Sequence, residues 1–446
     1  MTQVYAADHL LSVAAEPVRR GAVAVREGLI VAVGPRDEVL AAYPRAEVEE
    51  LGAAILMPAL VNAHTHLEYA MYGGFGDGLG FADWLADHVA RRPLLQPGDT
   101  DAAARLGALL ALRCGVGTVA DASYSGVSVA AVRSAGLRAV VHLEVFGGPD
   151  TDPGMVVAGA RDRLAAFALE TTPLVRIGLS PHSPYTVAPA SFAALDLLAR
   201  ERGLTVMTHV AESSAELEAV ADGTGPLADA LRSLTRIEAT GMHPVDLLAD
   251  AGLLHEGALL VHVVQAGPAQ IRRIAGSGAV VVHCPRSNAV LGCGAAPIVD
   301  LLAAGVTVAL GTDSPASAID FDMWAEMREA LMTARRREGR PDVLTATDVL
   351  RMATISGARA LGLERETGAL VVGLRADLTA IDLADSPFVP VADPTTAAVF
   401  AGRPERVLLT VVDGVVRYRR GADPERIAAA IAQAAPGRAR MIGSDD

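Results

Sequence analysis

Residues 57–68 read MPALVNAHTHLE, an apolar run that ends in two histidines one residue apart. In a β-strand, side chains at positions i and i+2 point to the same face, so the imidazoles of His64 and His66 can reach one cation. This run is the first of eight apolar runs of strand length, which lie at 55–63, 116–121, 138–146, 174–180, 204–210, 258–264, 279–284 and 306–312. Amphipathic stretches of helical length lie between them, at 100–113, 154–169, 189–202, 267–276 and 296–304. Eight strands that alternate with helices predict an α/β fold, a parallel (β/α)8 barrel of the TIM type.

The two chain ends have a different pattern, short strands separated by turns. The strands predicted there are Ala22–Val25, Leu29–Val33, Glu47–Leu51, Leu370–Val372, Leu378–Asp382, Ala397–Phe400, Val407–Val412 and Val415–Arg419. We therefore predict a composite β-sandwich domain from residues 1–57 and 365–422, beside a catalytic barrel at 58–364. A helix at 423–435 and a polar tail make up the remainder, 423–446.

Two further metal-binding residue types end predicted barrel strands. His209 ends the fifth strand within THVAES (208–213), and Asp313 ends the eighth within LGTDSPAS (310–317). Barrels of this kind place their active sites at the carboxyl ends of the strands, where His64 and His66 also lie. Three imidazoles and one carboxylate suit a zinc-like ion or Fe(II), with one position open for water.

The composition excludes several classes of protein. The 446 residues carry a net charge of −14, so the polyanionic backbone of a nucleic acid would repel the chain. No apolar stretch reaches the roughly 18 residues of a membrane span, and the first residues lack the basic segment of a signal peptide. Three cysteines are too few for a disulfide framework. We expect a cytoplasmic protein that acts on a small molecule.

The chain contains no lysine, and all 38 of its basic residues are arginines. The sequence therefore excludes a Schiff-base lysine, the lysine of a phosphate-binding P-loop and a carbamylated lysine that bridges two metals.

The motifs resemble the amidohydrolase superfamily over essentially the whole chain. The matching segments are MPALVNAHTHLE, SPHSPYT (180–186), THVAES, VVHCPRSN (281–288), LGTDSPAS and GLRADLTAIDL (373–383). Within the superfamily the pattern is most similar to the branch related to cytosine deaminase. That branch includes adenosylhomocysteine, guanine and aminodeoxyfutalosine deaminases and triazine hydrolases. The resemblance implies a (β/α)8 barrel with a β-sandwich made from both chain ends, in agreement with the strand pattern.

The resemblance also implies one divalent metal per chain, Zn²⁺ as the first choice and Fe²⁺ as the alternative. Residues that match His64, His66, His209 and Asp313 hold it. One-metal members carry a histidine at the end of the fourth strand, here His182, where two-metal relatives carry a bridging lysine. A homodimer is expected from the resemblance alone.

The function implied is hydrolytic release of ammonia from an aminated purine nucleoside. The motifs look most like those of aminodeoxyfutalosine deaminases, which serve menaquinone biosynthesis in bacteria. Three alternatives remain open: a deaminase of adenosylhomocysteine, adenosine or guanine, a triazine-type chlorohydrolase, and a non-catalytic scaffold that kept the barrel.

Three residues are predicted to carry the reaction. Glu212 follows His209 by three residues and would act as general acid and base on the purine ring and on the leaving ammonia. Asp313 would accept a proton from the attacking water, and His262 would form a hydrogen bond to that water.

Four residues are predicted to bind substrate. His182 would contact a heteroatom of the substrate, and Glu68, if the first strand continues past His66, a sugar hydroxyl. Arg286 would clamp an anion such as a benzoate, with a surface ion pair as its alternative role. Trp84, which follows a glycine-rich loop, would contact substrate, with a place in the core as its alternative.

Overall fold

The computed structural model describes residues 1–422 and 424–443. Its strands are β1 Thr2–Leu10, β2 Val18–Arg26, β3 Leu29–Pro35, β4 Glu47–Glu50, β5 Ala54–Pro58, β6 Leu60–Thr65, β7 Val116–Ser123, β8 Arg138–Val145, β9 Val175–Pro181, β10 Val206–Val210, β11 Ala258–His262, β12 Val280–His283, β13 Val308–Leu310, β14 Leu378–Asp382, β15 Val407–Val412 and β16 Val415–Arg419.

The α-helices are α1 Arg36–Ala42, α2 Phe81–Arg91, α3 Asp99–Arg113, α4 Ser128–Ala135, α5 Pro153–Phe167, α6 Pro189–Arg202, α7 Ser214–Asp222, α8 Pro226–Leu231, α9 Pro244–Asp250, α10 Pro268–Ala275, α11 Pro285–Val290, α12 Ile298–Ala303, α13 Pro315–Ala318, α14 Met323–Glu338, α15 Ala346–Met352, α16 Ile355–Ala360, α17 Pro394–Ala401 and α18 Pro424–Ile442. Short 3-10 helices cover Leu67–Tyr72, Arg92–Leu94, Ala168–Glu170 and Pro404–Arg406.

Strands β6 to β13 form the predicted barrel. Each pairs in parallel with the next along the chain, and a bridge between Thr65 and Asp313 joins the first strand to the end of the last. The strands are buried on both faces, as expected for a parallel sheet covered by helices. The expectation of a (β/α)8 barrel is confirmed.

Local sequence signals explain where the barrel helices begin and end. Helix α6 begins with Pro189, whose fixed φ suits the first turn of a helix. It ends at Gly203, which has a φ of +64°, a conformation that glycine adopts without strain. The chain then turns directly into β10, so that His209 reaches the carboxyl end of the barrel.

Both chain ends contribute to the second sheet. Its order is β16-β15-β14-β5-β1-β2-β3, with β4 paired to β1, and most neighbours are antiparallel. Buried side chains on one face, among them Tyr5, Leu56 and Leu378, form a core separate from that of the barrel. The sheet built from both ends confirms the predicted fold class, while the domain boundaries at 57/58 and 364/365 stay a prediction.

Three predicted strands differ from the structure. The run at 55–63 is two strands, because β5 pairs within the end sheet and the chain crosses at Ala59 into the barrel. Residues 397–400 lie in helix α17, since Asp393 caps the backbone amides of Thr395 and Thr396 and Pro394 occupies the first turn. Residues 370–372 are not in a strand.

The last helix, α18, packs against α3 and the 3-10 helix at Leu67–Tyr72. Arg438 donates to the backbone oxygens of Met71 and Gly73, and Arg440 forms an ion pair with Asp99. The helix is longer than the predicted 423–435, and residues 423 and 444–446 of that region lie outside the described residues. Within 1–422 and 424–443, no helix combines the length and apolar character that a membrane crossing requires.

Candidate active site

The four predicted ligands converge at the carboxyl end of the barrel. His64 lies in β6, His66 directly after it, His209 in β10 and Asp313 just after β13. All four side chains are buried. Ring nitrogens of His64, His66 and His209 lie within 4.8 Å of one another, and Asp313 Oδ1 lies 3.4 Å from Nε2 of both His64 and His66.

Backbone oxygens fix the proton positions of two of these rings. His66 Nδ1 lies 2.9 Å from the carbonyl oxygen of Ala122, and His209 Nδ1 lies 2.9 Å from that of His182. A carbonyl oxygen only accepts, so each Nδ1 carries the proton and each Nε2 carries a lone pair. These two Nε2 atoms face each other at 3.4 Å. Two lone pairs at that distance repel each other unless a cation lies between them.

Asp313 and His64 complete the same cluster of electron-rich atoms. Asp313 Oδ2 accepts hydrogen bonds from the hydroxyls of Ser287 at 2.6 Å and Ser317 at 2.8 Å, which leaves Oδ1 turned toward the imidazoles. His64 Nε2 is buried and has no hydrogen-bond partner among the described residues. Nitrogen and oxygen ligands in this number suit one divalent ion of the zinc type.

Burial keeps the histidines neutral, as metal ligands must be. It lowers the pKa of His66 to about 4 and lowers the pKa values of His64 and His209 as well. The residues present therefore fit the predicted metal.

A second group of metal-binding side chains adjoins the first. Glu144, His182 and His209 also place ligand atoms within 4.8 Å of one another. His209 Nδ1 already donates to the His182 carbonyl oxygen, so a second ion would need the same His209 Nε2 as the first. This geometry favours one ion, as does the absence of lysine from the sequence.

Glu212 and His262 lie together beside the ligands. Glu212 Oε1 is 3.5 Å from His262 Nε2. His262 Nδ1 donates a hydrogen bond to the amide oxygen Oδ1 of Asn288 at 3.0 Å. Burial raises the pKa of Glu212 well above its usual value, and the charges of Asp313 and Glu216 raise it further. A raised pKa favours the protonated carboxyl, the form that a general acid uses.

Glu216 holds the backbone of this acidic residue in place. Its carboxylate accepts hydrogen bonds from the amides of Ala211 at 2.8 Å and Glu212 at 2.7 Å. Ala211 has a φ of +52°, an unfavourable conformation for a residue with a side chain. Glu216 lies four residues after Glu212, beyond the end of the THVAES motif, and the sequence alone predicts no role for it.

A cavity of about 560 Å³ opens over the cluster, a size typical of small-molecule sites. It is lined mainly by aromatic and apolar side chains, together with a few charged ones. The lining includes His66, Tyr69, Phe81, Trp84, Leu85, His88, Val89, Arg92, Tyr124, Glu144, Phe146, His182, Tyr185, His209, Glu212, His262 and Asp313.

Two of the four predicted substrate contacts line this cavity. His182 is one, and its Nδ1 lies 2.8 Å from Thr186 Oγ1. Trp84 is the other, and its indole nitrogen donates to the carbonyl oxygen of Ala316 at 3.0 Å. Both remain candidates for substrate binding.

Glu68 does not line the cavity, because the first strand ends before it. Residues Leu67–Tyr72 form a 3-10 helix, so the alternation of side chains stops at His66. The Glu68 carboxylate instead accepts hydrogen bonds from the Ser123 hydroxyl, from the Ser125 amide at 3.1 Å and from the Gly126 amide at 3.3 Å. The structure thus gives Glu68 a role in holding the loop after β7.

Arg286 also lies outside the cavity lining. Its guanidinium pairs with Asp320 at 2.7 Å and with the buried Glu326 at 3.6 Å. The structure favours the alternative role, an ion pair, over an anion clamp.

Apart from Trp84, sequence reasoning missed the face of the site that helix α2 forms. Helix α2 places Phe81, Trp84, Leu85, His88 and Val89 against the cavity, at the spacing of one helical face. The sequence contains the signal for this face, because each of these residues lies three or four positions from Trp84, or directly beside Trp84 or such a position. Arg92, three residues after Val89, continues the face beyond the helix.

Comparisons with known proteins agree with this geometry. The family model described as "Amidohydrolase family" matches residues 55–417, and an imidazolonepropionase-like composite domain of bacteria matches residues 21–46 in the end sheet. A 5-methylthioadenosine/S-adenosylhomocysteine deaminase of Nitratidesulfovibrio vulgaris (strain DSM 19637 / Miyazaki F) is 34% identical over 414 residues, which cover 91% of this chain and 89% of that protein.

Two solved structures have a similar fold. An adenosine deaminase from Xanthomonas campestris with bound zinc superposes with a TM-score of 0.85 at 29% identity and covers 98% of both chains. An aminofutalosine deaminase from Helicobacter pylori superposes with a TM-score of 0.79 at 22% identity, over 93% of this chain and 100% of that one. The second likeness shows a common fold.

The matched family covers more than three quarters of the chain and includes all four predicted metal ligands. Together with the geometry of the ligands and of Glu212, it makes this chain a metal-dependent hydrolase. The chain belongs to the amidohydrolase family, as its motifs indicate.

Proposed function

We propose that this enzyme is a hydrolytic deaminase of adenosine-type nucleosides, with aminodeoxyfutalosine as its substrate and one Zn²⁺ per chain. The observation that carries the reaction type is the buried Glu212 beside the ligand cluster and His262, within one cavity. The curated relative and the zinc-bound adenosine deaminase are named as deaminases of adenosine-type molecules, which supports the substrate class.

Glu212 would move the protons of the reaction. Its carboxyl proton would pass to a ring nitrogen of the purine, which makes the amino-bearing carbon more electrophilic. Glu212 would next take up the proton of the hydroxyl that has added to the ring and deliver it to the amine, which leaves as ammonia while that oxygen becomes the ring carbonyl. Return of the proton held by Asp313 to Glu212 would restore the starting state. A divalent ion held by His64, His66, His209 and Asp313 would supply Lewis acidity, which would lower the pKa of a water molecule toward neutrality.

Asp313 and His262 would handle the attacking water. Asp313 can accept a proton from it, and hydrogen bonds from two serine hydroxyls orient the carboxylate. His262 Nε2 faces Glu212 and is placed to hydrogen-bond the oxygen that adds to the ring.

Ammonia release from a panel of substrates tests this function. Zinc-loaded protein would be assayed with aminodeoxyfutalosine, adenosine, adenosylhomocysteine, guanine and cytosine, with chelator-treated protein as the control. We expect turnover of the adenosine-type nucleosides, highest for aminodeoxyfutalosine, and loss of turnover after chelation. Silence on every adenosine-type nucleoside would contradict the proposal and point to a chlorotriazine or another ring.

The predicted homodimer and a role in menaquinone biosynthesis also stay proposals. Sedimentation of the purified chain measures the first, and the second depends on the substrate panel.

A further inference from the structure

We propose that Arg92 is the carboxylate-binding residue of a subsite at the mouth of the cavity, and that this subsite selects nucleosides with an aromatic carboxylate on the 5′ side. The inference rests on the proposed function and adds the residue that would distinguish such substrates from neutral adenosine-type nucleosides. It concerns a side chain outside every motif that pointed to the family.

Arg92 lies in the cavity wall and forms no ion pair within the described residues. Within the described residues, no carboxylate lies within 4.0 Å of its guanidinium, and the guanidinium forms no hydrogen bond. The neighbouring Arg91 differs, since it pairs with Asp87 at 2.8 Å and donates to the Met441 oxygen at 3.0 Å. A half-buried arginine with free donors is suited to pair with a ligand anion.

An aromatic ring holds the guanidinium in one orientation. The central carbon of the Arg92 guanidinium lies 3.1 Å from the centre of the Tyr124 ring. Stacking of this kind fixes the plane of the group and leaves its N–H edge free for the two oxygens of a carboxylate.

A row of rings connects the metal ligands with Arg92. The ring of His209 lies 5.1 Å from that of His182, His182 stacks on Phe146 at 4.8 Å, and Phe146 lies 5.7 Å from Tyr124. His209 is 6% exposed, whereas Phe146 and Tyr124 are 42% and 41% exposed. The row therefore leads from the buried cluster to the mouth, and its apolar surface suits an aromatic group between the nucleoside and the carboxylate.

None of the carboxylates near the cavity mouth forms an ion pair with the Arg92 guanidinium within the described residues. Glu68 is engaged by the loop after β7, and Glu144, though in the cavity wall, makes no ion pair with Arg92 within the described residues. Asp313 and Glu212 belong to the metal-binding and catalytic cluster at the other end of the row.

The test compares two substrates in three proteins. Wild type, Arg92→Met and Arg91→Met, all zinc-loaded, would be assayed with aminodeoxyfutalosine and with methylthioadenosine, which lacks a carboxylate. For Arg92→Met we expect kcat/KM for aminodeoxyfutalosine to fall between about 10-fold and about 100-fold relative to methylthioadenosine, mainly through KM, because a charged hydrogen-bonding pair is lost. Arg91→Met should keep the wild-type ratio.

Arg92→Lys separates charge from shape. It keeps the positive charge but not the two-pronged geometry, so an intermediate ratio is expected. Turnover of methylthioadenosine and the zinc content report on folding of each variant. An unchanged ratio in Arg92→Met, with the enzyme active, would overturn the subsite alone. Failure of wild type to deaminate either nucleoside would instead overturn the proposed function.

Discussion

At the scale of single residues, Glu212 has the environment that the chemistry requires. Its side chain is buried, its pKa is raised by that burial, and His262 is its nearest partner. Glu212→Gln keeps the shape but carries no transferable proton. We expect turnover to fall by about 10² to 10⁴-fold while the metal content stays near one ion per chain. Near wild-type turnover by the purified variant would rule out Glu212 as the proton shuttle.

Glu216 is a positioning residue, because it holds the Ala211 and Glu212 amides and does not line the cavity. Glu216→Gln replaces one of the two acceptor oxygens by an NH2 group. That group is a donor, so it would face a backbone N–H without forming a hydrogen bond. We expect kcat to fall between about 10-fold and about 100-fold, through displacement of Glu212, with the metal content unchanged. The control is Glu218→Gln on the exposed face of α7, which should match wild type. Equal kcat values in Glu216→Gln and Glu218→Gln would show that Glu216 does not position Glu212.

The sequence predicts well that the four candidate ligands converge, because each lies at or near a strand end, where barrel geometry dictates direction. It fails at Glu68, since the turn into a 3-10 helix after His66 leaves no alternation to extrapolate. Arg286 fails for another reason: its partners, Asp320 and Glu326, lie more than 30 residues away and no local pattern predicts such pairing. Contacts of that range depend on the packed structure.

At the scale of elements, local signals and long-range pairing compete. Residues 397–400 contain β-branched and aromatic types, yet Asp393 and Pro394 start a helix there. Seven of the eight barrel runs correspond to single strands, because continuous apolar runs suit a sheet that is covered on both faces. The first run is divided, since only pairing with β14 and β7 reveals that its two halves belong to different sheets.

A half-buried pair connects helix α6 with the loop before β11, and it gives stability a pH dependence. His255 Nε2 lies 2.6 Å from Asp196 Oδ1, and this hydrogen bond raises the pKa of His255. Burial opposes ionisation of Asp196, but hydrogen bonds from His255 and Arg200 lower its pKa overall. The histidine contribution is complete below its unfolded pKa of about 6.5 and is lost as the pH rises through the folded value.

His255→Gln should therefore be less stable than wild type by about 0.5 to 1 kcal/mol at pH 6, and the difference should shrink as the pH rises above the folded pKa. Urea denaturation at a series of pH values measures it. A gap that is constant from pH 6 to pH 9 would show that the charged form contributes nothing.

At the scale of the whole molecule, the end sheet is fastened to the end of the barrel opposite the metal cluster. Arg138, the first residue of β8, makes two hydrogen bonds to Asp377 at 2.7 and 3.2 Å, and both side chains are buried. Arg138→Met would leave a buried carboxylate unpaired, so we expect a loss of about 3 to 5 kcal/mol of unfolding free energy. Arg176→Met, which removes a more exposed ion pair to Glu366, is the control and should cost less than about 1 kcal/mol. A loss in Arg138→Met no larger than the control would refute the fastening role.

The metal should stabilise the whole fold, because its ligands come from the first, fifth and eighth barrel strands. Chelation is expected to lower Tm by several degrees, and added zinc to restore it, since a ligand that binds only the folded state shifts unfolding by mass action. Asp313→Asn, with one ligand weakened, should respond less to chelator. Equal melting of metal-free and zinc-loaded wild type would show that the cluster contributes no stability.

The bridge between Thr65 and Asp313 joins two parts of the barrel that are synthesised far apart in time. A ribosome releases His64 and His66 early, whereas the carboxylate that completes the set is not made until residue 313 is added. During most of translation, the nascent chain therefore contains His64 and His66 but not yet the complete, enclosed metal site. We expect selective loading only after the barrel has closed, so that the ions available to the finished chain, rather than to the growing one, decide which metal it carries.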